Sequence, residues 1–595
     1  MAQAIRSGAR APAVAWIQGA PQDLLLYLAT PLLIVPLMAL VRTRLDVEEI
    51  ALLVAAFGST GHHLPGLLRA YGDRELFARY RVRFTVAPVF FASLCLLLSY
   101  AELRALAVMA VLWGGWHGLA QVYGIGRIYD ARLGLFSPRT ALLDRWLCIA
   151  WFGAGLFFSP GRMADLLDGL YQCGFPALPA TALRGFQLSW AAGTASVSAA
   201  FLANLLLQRA RGERQSPAKL LLMAMSFAYW WYAMVGIRDV VLGIALFEIF
   251  HDVQYLSIVW VYNRRRVDSG HGIGPLTRRV FQPRATRVAL YLALVLAYGA
   301  FGLAGHASHG ELERALLALI LASGFLHFYY DAFLWNLREP ATREGLALAG
   351  GRSVSWQGLP AGLRSALCWS LFAGPVALLA AGQLRLPSTD LERSRAIAAS
   401  LPGSDVAQLR LGDALRAAGR DEEALAPYGR ALALRPEAAR AHAKLGDLYV
   451  RLGQPERAAP AYREALRLDP SDRGSALNLG FAHATRGELA AAAGFFERVL
   501  ARDPRNVRAL LGLGAARQRQ GDLVGARRSF ERVLALRPNS AGAHNNLALL
   551  EQAEGRPERA LQHLEHALRV RPEHEAARSN LARLRGARAL PPSPP

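Results

Sequence analysis

Four histidines sit where an ionisable side chain is least expected, inside long apolar runs. The strings are Ser59-Thr60-Gly61-His62-His63, Trp116-His117, Phe250-His251-Asp252-Val253-Gln254-Tyr255 and Leu326-His327-Phe328-Tyr329-Tyr330-Asp331. Polar partners stand one helical turn away. Gln121 follows His117 by four, Asp331 follows His327 by four, and Glu248 and Gln254 flank His251 by three on either side. Spacings of three and four put side chains on one helix stripe, where a metal ligand and the acceptor that fixes its tautomer can meet. Imidazole with carboxylate and open positions suits iron, zinc or manganese, and with oxygen chemistry it suits non-haem iron. Two facing histidines could instead ligate a haem. The expected set is His62, His117, His251 and His327 as metal ligands, with Asp331 and Glu248 as ligand or base. His63, Gln121, Gln254, Asp252, Arg69 and Arg127 stand beside them or toward the substrate.

Charged or ionisable groups within membrane helices are costly, and each marks a functional position by default. A lone histidine or glutamine is explained equally well by a hydrogen bond to a neighbouring helix. Four at one level are harder to explain that way. Each first histidine falls about 12 residues into its run, roughly 18 Å at 1.5 Å per residue. A polar cavity conducting protons or substrate is the second reading. His271, His306 and His309 fall in loops and do not join this set. Arg69 and Arg127, with nearby tyrosines, could meet an acidic lipid head, or serve only as interfacial anchors.

Apolar runs long enough to cross about 30 Å of hydrocarbon occupy 24–41, 50–68, 84–100, 105–125, 146–159, 187–207, 220–236, 239–262, 288–303, 315–335 and 363–382, eleven in all. If the N-terminus is cytoplasmic, the inside segments collect 26 Lys and Arg and the outside ones seven, a positive-inside pattern. Eleven spans then place the C-terminal part outside the cytoplasm, and the whole reads as a multi-pass inner-membrane protein in contact with the bilayer. The net charge of +22 follows from this placement and calls for no nucleic-acid partner. The four cysteines are too few for a disulfide framework.

The last third is different. Pro436, Pro470, Pro504, Pro538 and Pro572 recur every 34 residues, the period of the tetratricopeptide helix pair. Leu411-Gly412, Ala424, Tyr428, Ala431 and Pro436 resemble that family's signature, as do Leu445-Gly446, Ala458, Tyr462, Ala465 and Pro470. Gly480, Ala492, Phe496 and Gly514, Ala526, Phe530 continue it, while the fifth unit has Ala548 for the glycine and Leu564 for the aromatic. The expected architecture is all-α: a polytopic helix bundle over 1–386, a linker over 387–404, five repeats plus a capping helix over 405–588, and a disordered proline-rich tail over 589–595. The resemblance implies a concave groove for a protein or peptide. It would carry Arg416, Arg440, Arg451, Arg508 and Arg519 with Asp413, Asp447, Gln518, Asn545 and Gln552, suited to an acidic segment or a chain terminus.

The histidine strings resemble those of a bacterial family of polytopic membrane proteins of uncharacterised function. The layout is more loosely similar to histidine-rich membrane oxygenases and desaturases, including retinal-forming carotenoid dioxygenases of the Brp/Blh type. The clustered paired-histidine boxes of desaturases are absent, since only His62-His63 is a pair. The resemblance implies an intramembrane metal site, iron foremost with haem or zinc as alternatives, acting on a lipid-soluble small molecule by oxidation. Two alternatives stay open. One is a glycosyl- or oligosaccharyl-transferring enzyme using Asp46, Glu48 and Glu49. The other is a non-enzymatic scaffold for an envelope complex.

Overall fold

The computed structural model describes residues 15–589 apart from 238, 271–272, 283, 308–309, 336–339, 349–360 and 387. The expected loop residues His271 and His309, and 590–595 of the expected tail, lie outside the described residues. The described residues are mostly helical. Among the described residues the one extended pairing is an isolated bridge between Asp73 and Ile273. The chain divides into two compact units, Met1–Ala407 and Gln408–Pro595.

In the first unit, eight helices are long and apolar enough to cross a membrane, or nine if the bent pair Ala20–Leu28 and Thr30–Val41 counts as one span. Of the eleven expected spans, the three not among these eight are the first, second and eleventh. The first expected span is bent by 56° at its break. The second is divided into Val47–Leu53, a π-helical stretch Val54–Thr60 and His63–Gly72. The eleventh lies in Ala361–Arg385, where many side chains are outside the described set.

Four helices carry the histidines into the interior of this unit: His63–Gly72 with the turn before it, Ala105–Arg132, Val240–Ser269 and Glu311–Leu334. Aromatic clusters pack around them. One is built on Phe152, Trp230, Phe247 and Phe250, another on Phe91, Phe325, Tyr330 and Phe372, and a third on Tyr27, Tyr129, Tyr255 and Tyr262. Burial of such rings against one another is the main stabilising term available to helices of this composition.

The segment expected as a linker, 387–404, contains a helix instead. Thr389 and Glu392 form a capping box that starts Asp390–Ser400. Arg393 pairs with Asp168 at 2.9 Å, and the Ser400 hydroxyl lies 2.8 Å from that of Tyr171. These contacts seat it on the helix Pro160–Gln172 as part of the first unit.

The second unit stacks five helix pairs: Asp405–Ala417 with Asp421–Leu434, Ala439–Arg451 with Pro455–Leu468, Arg473–Thr485 with Leu489–Arg502, Val507–Arg519 with Leu523–Leu536, and Ala541–Ala553 with Pro557–Val570. Glu575–Ala589 follows. The 34-residue pattern has a direct packing cause. A Cβ on Gly480 would lie 2.6 Å from the Phe496 ring, so the small residue of the first helix seats the aromatic of the second. In the fifth pair Ala548 and Leu564 are both buried, a larger residue facing a smaller one. Each pair turns at a glycine in the left-handed region, from Gly419 to Gly555, where other residues are strained.

Candidate metal centre and repeat groove

The π-helical stretch Val54–Thr60 ends in a turn, and His62 caps the following helix. Such insertions change the face that later residues present. Here the turn delivers His62 and His63 together to the interior, where both are buried. His117, His251 and His327 come from the middle of long helices and are buried as well. One nitrogen from each of His62, His117, His251 and His327 lies within 4.8 Å of the others. His117 Nε2 and His327 Nε2 are 3.1 Å apart. His62, His63, His117 and His251 border a chamber of about 50 Å³ shared with Ser59, Phe247, Glu248 and Phe328.

A layer of hydrogen bonds orients these groups. His62 Nδ1 is 2.8 Å from Asp252 Oδ1 and 3.0 Å from the Gly58 carbonyl. That leaves its buried Nε2 without a protein partner. Gly58 is required there, because a Cβ would collide with the Asp252 carboxylate. Asp331 Oδ1 accepts from the Tyr255 hydroxyl at 2.9 Å and from Trp335 Nε1 at 3.2 Å. Its other oxygen stands 3.9 Å from His117 Nε2 and 3.8 Å from His327 Nε2. Glu248 accepts from the Ser59 hydroxyl at 3.2 Å.

The remaining expected residues take other places. Gln121 Nε2 donates to the His251 carbonyl at 3.0 Å and to Gln254 Oε1 at 3.2 Å, and Gln254 donates to the Tyr27 carbonyl. These two amides brace backbones, not imidazoles. His63 Nδ1 is 3.0 Å from the Ser323 hydroxyl, and its ring stacks on His327. Arg69 is held between the Tyr262 and Trp335 rings and donates to the Leu334 carbonyl. Arg127 pairs with Asp130 at 2.7 Å, in a buried group completed by Asp144 and Lys219. Both arginines are therefore engaged by protein groups. Asp46 and Glu49 form a capping box on Val47–Leu53, so their carboxylates start a helix.

Residues missing from the expected set are Tyr255 and Trp335, which fix Asp331, and Phe247 and Phe328, which wall the chamber. Tyr255 and Phe247 stand four residues either side of His251, and Trp335 four after Asp331. Extending the stripe rule by one turn finds them. Ser59 and Gly58 carry no such signal, because the π turn breaks the helical register.

Two apolar cavities adjoin the chamber. One of about 130 Å³ is walled by Trp113, Trp116, Ile125 and Phe328 and reaches His117 and Asp331. The other, about 360 Å³, lies among Leu156, Trp190, Trp230 and Met234 and reaches Glu248. Trp116 borders both and is 46% exposed on the outer surface of the unit.

In the repeat array the expected groove is internally compensated. Tyr428 donates to Asp413 at 2.6 Å and Tyr462 to Asp447 at 2.8 Å. Burial, reinforced by these carboxylates, raises both phenols above their ordinary range. Lys444 reaches Asp413 and Arg416 reaches Asp447. Arg451 pairs with Asp421 at 2.8 Å, Arg519 donates to the Ala484 carbonyl, and Arg508 lies over the Phe481 ring. Asn545 accepts from Asn580 of the last helix. Arg440 and Gln552 are exposed, and Gln518 is half-buried.

Three family models, each described as tetratricopeptide or TPR repeats, match residues 412–453, 443–505 and 506–573. Solved structures similar to the chain include YrrB, a TPR protein with an unusual peptide-binding site (23% identity, 32% of this chain and 98% of that one, TM-score 0.29). Others are TTC0263, a thermophilic TPR protein of Thermus thermophilus (25%, 30% and 98%, 0.26), and PilW, a type IV pilus biogenesis factor (20%, 37% and 97%, 0.29). No curated protein matches the chain. The C-terminal region is thus an array of tetratricopeptide repeats, a protein–protein interaction module.

Proposed function

We propose that the chain is a membrane-embedded metalloprotein that oxidises a lipid-soluble substrate and carries a tetratricopeptide arm for a protein partner. The observation that carries this reading is the convergence of one nitrogen from each of four imidazoles within 4.8 Å; beside it, His62 Nε2 is buried and bare. A nitrogen separation of 3.1 Å between His117 and His327 is what two ligands at about 2.0–2.1 Å from one ion give near a right angle. A chamber of about 50 Å³ suits an ion, whereas a haem plane needs more room between its axial rings. The chemistry of the donor set, imidazoles beside a carboxylate, is that of a single borderline ion such as iron, zinc or manganese.

His62, His117, His251 and His327 would hold that ion, with Asp331 as a further ligand or base. Bound iron would supply the redox capacity that oxygen chemistry needs. The chain does the rest. The Gly58 carbonyl, with Asp252 beside it, fixes the His62 tautomer, Tyr255 and Trp335 fix the Asp331 carboxylate, and the walls of tryptophan and phenylalanine admit an apolar molecule while excluding water. Glu248 stands where the larger cavity meets the chamber, placed to take a proton. In this reading the first unit is a multi-pass protein of the inner membrane with a cytoplasmic N-terminus, and nine spans, the bent pair counted as one, carry the chain to the opposite side before the arm.

Elemental analysis of the detergent-purified full chain tests the proposal. The wild type is expected to hold about one equivalent of iron, zinc or manganese more than His117→Ala and His327→Ala do. A wild type that neither carries nor takes up these metals overturns the reading, and so does a metal content unchanged in both variants.

A further inference from the structure

A second group of imidazoles lies in the other unit, at the last helix pair of the array. We propose that His544 and His563, with His566 alongside, form a second metal site for a borderline divalent ion such as Zn²⁺. His544 Nε2 is 3.1 Å from the Pro538 carbonyl. A carbonyl can only accept, so Nε2 carries the proton and Nδ1 presents its lone pair. Ligating histidines are oriented in this way by a backbone carbonyl on the far nitrogen. That free Nδ1 faces His563 Nδ1 at 3.0 Å. Two nitrogens at about 2.0–2.1 Å from one Zn²⁺ stand at this separation when they bind side by side. His566, three residues after His563 on the same helix, has its ring centroid 4.1 Å from that of His544. Its buried Nε2 has no protein partner.

The donor set is nitrogen only. The nearest buried carboxylate, Glu551, is taken by Arg527 and Arg556, each at 2.6 Å. An imidazole set without carboxylate selects Zn²⁺, Ni²⁺ or Cu²⁺ over Mg²⁺ or Ca²⁺. The ion would join Ala541–Ala553 to Pro557–Val570. The helix Glu575–Ala589 covers this last pair, burying Ala577 and Leu584 against it, and a metal clip within the pair would fix the end of the array. The site is independent of the membrane cluster. The competing explanation of the 3.0 Å separation is a plain hydrogen bond between two neutral rings.

The test uses tag-free full-length protein in detergent carrying His117→Ala and His327→Ala, so that the membrane cluster is disabled. Titration with Zn²⁺ is followed by competition with a chromogenic chelator and by thermal unfolding of the array. One Zn²⁺ per chain and a raised unfolding midpoint are expected. Adding His563→Ala abolishes both, and adding His566→Ala weakens binding by about tenfold or more. Equal Zn²⁺ uptake with and without His563→Ala overturns the proposal, as does no uptake by a chain whose helical signal is intact. His563 is partly exposed, and His563→Gln repeats the measurement should the alanine variant fail to fold.

Discussion

His117 Nε2 and His327 Nε2 face each other at 3.1 Å across two helices whose residues are 210 positions apart in the chain. Two buried imidazoles this close share either one proton or one ion. Asp331, held by Tyr255 and Trp335, stands beside both nitrogens and would balance the charge of a cation. The proposed reading takes the ion, since a proton shared by two rings needs no third and fourth imidazole.

That layer yields the first prediction. Asp252→Asn removes the anion that orients His62, and Tyr255→Phe removes a donor from Asp331 while keeping the ring. Each should lower metal affinity by about 10–100-fold, read by chelator competition on the purified chain. Gln121→Ala, which removes only a brace on the His251 carbonyl, should change affinity less. Equal effects from all three would mean that the layer acts through general packing.

Gly58→Ala is the second. Its Cβ would occupy the space of the Asp252 carboxylate, and overpacking of this kind costs about 1–3 kcal/mol. Asp252 must move, and His62 loses the contact that aims its Nε2. The expected result is a chain that keeps the unfolding midpoint of its array and loses most of the metal held by its membrane cluster.

These residues show where sequence reading stops. That histidines occupy four apolar runs is visible in the letters, because an ionisable group among leucines stands out. That two of the rings meet at 3.1 Å is not, since it depends on the relative placement of helices far apart in sequence. The π turn before His62 hides Ser59 and Gly58 from any helical-stripe rule. An apolar run does not show that its helix is bent or broken, as at 24–41 and 50–68. In the array, a strict period and matched glycine–aromatic positions make the fold legible. The partners of the groove arginines are not, because Arg451 meets Asp421 and Arg416 meets Asp447 only once neighbouring repeats are stacked.

The third prediction follows from that glycine–aromatic match. Gly480→Ala puts a methyl group 2.6 Å from the Phe496 ring in a core with no slack. Destabilisation of the array by about 1–3 kcal/mol is expected in chemical unfolding, despite the better helix propensity of alanine. The double change Gly480→Ala with Phe496→Leu, which copies the Ala548–Leu564 pairing, should recover part of the loss. No recovery would show that the two positions do not pack as a pair.

The fourth concerns Glu551, a buried carboxylate between Arg527 and Arg556 at 2.6 Å each. Burial pushes its pKa up, but hydrogen bonds from the two guanidiniums outweigh that and hold it below the ordinary carboxylate range. A carboxylate whose folded pKa is depressed adds stability above its unfolded pKa, about 4.3 for Glu. The contribution is lost as pH falls through the lower folded value. Glu551→Gln should therefore destabilise the array by about 2 kcal/mol at pH 7, both arginines being partly exposed. The gap between variant and wild type should close as pH drops below about 4. Unfolding curves across that range decide the matter, because a gap that stays constant with pH would mean that the glutamine acts through shape and not through the lost charge.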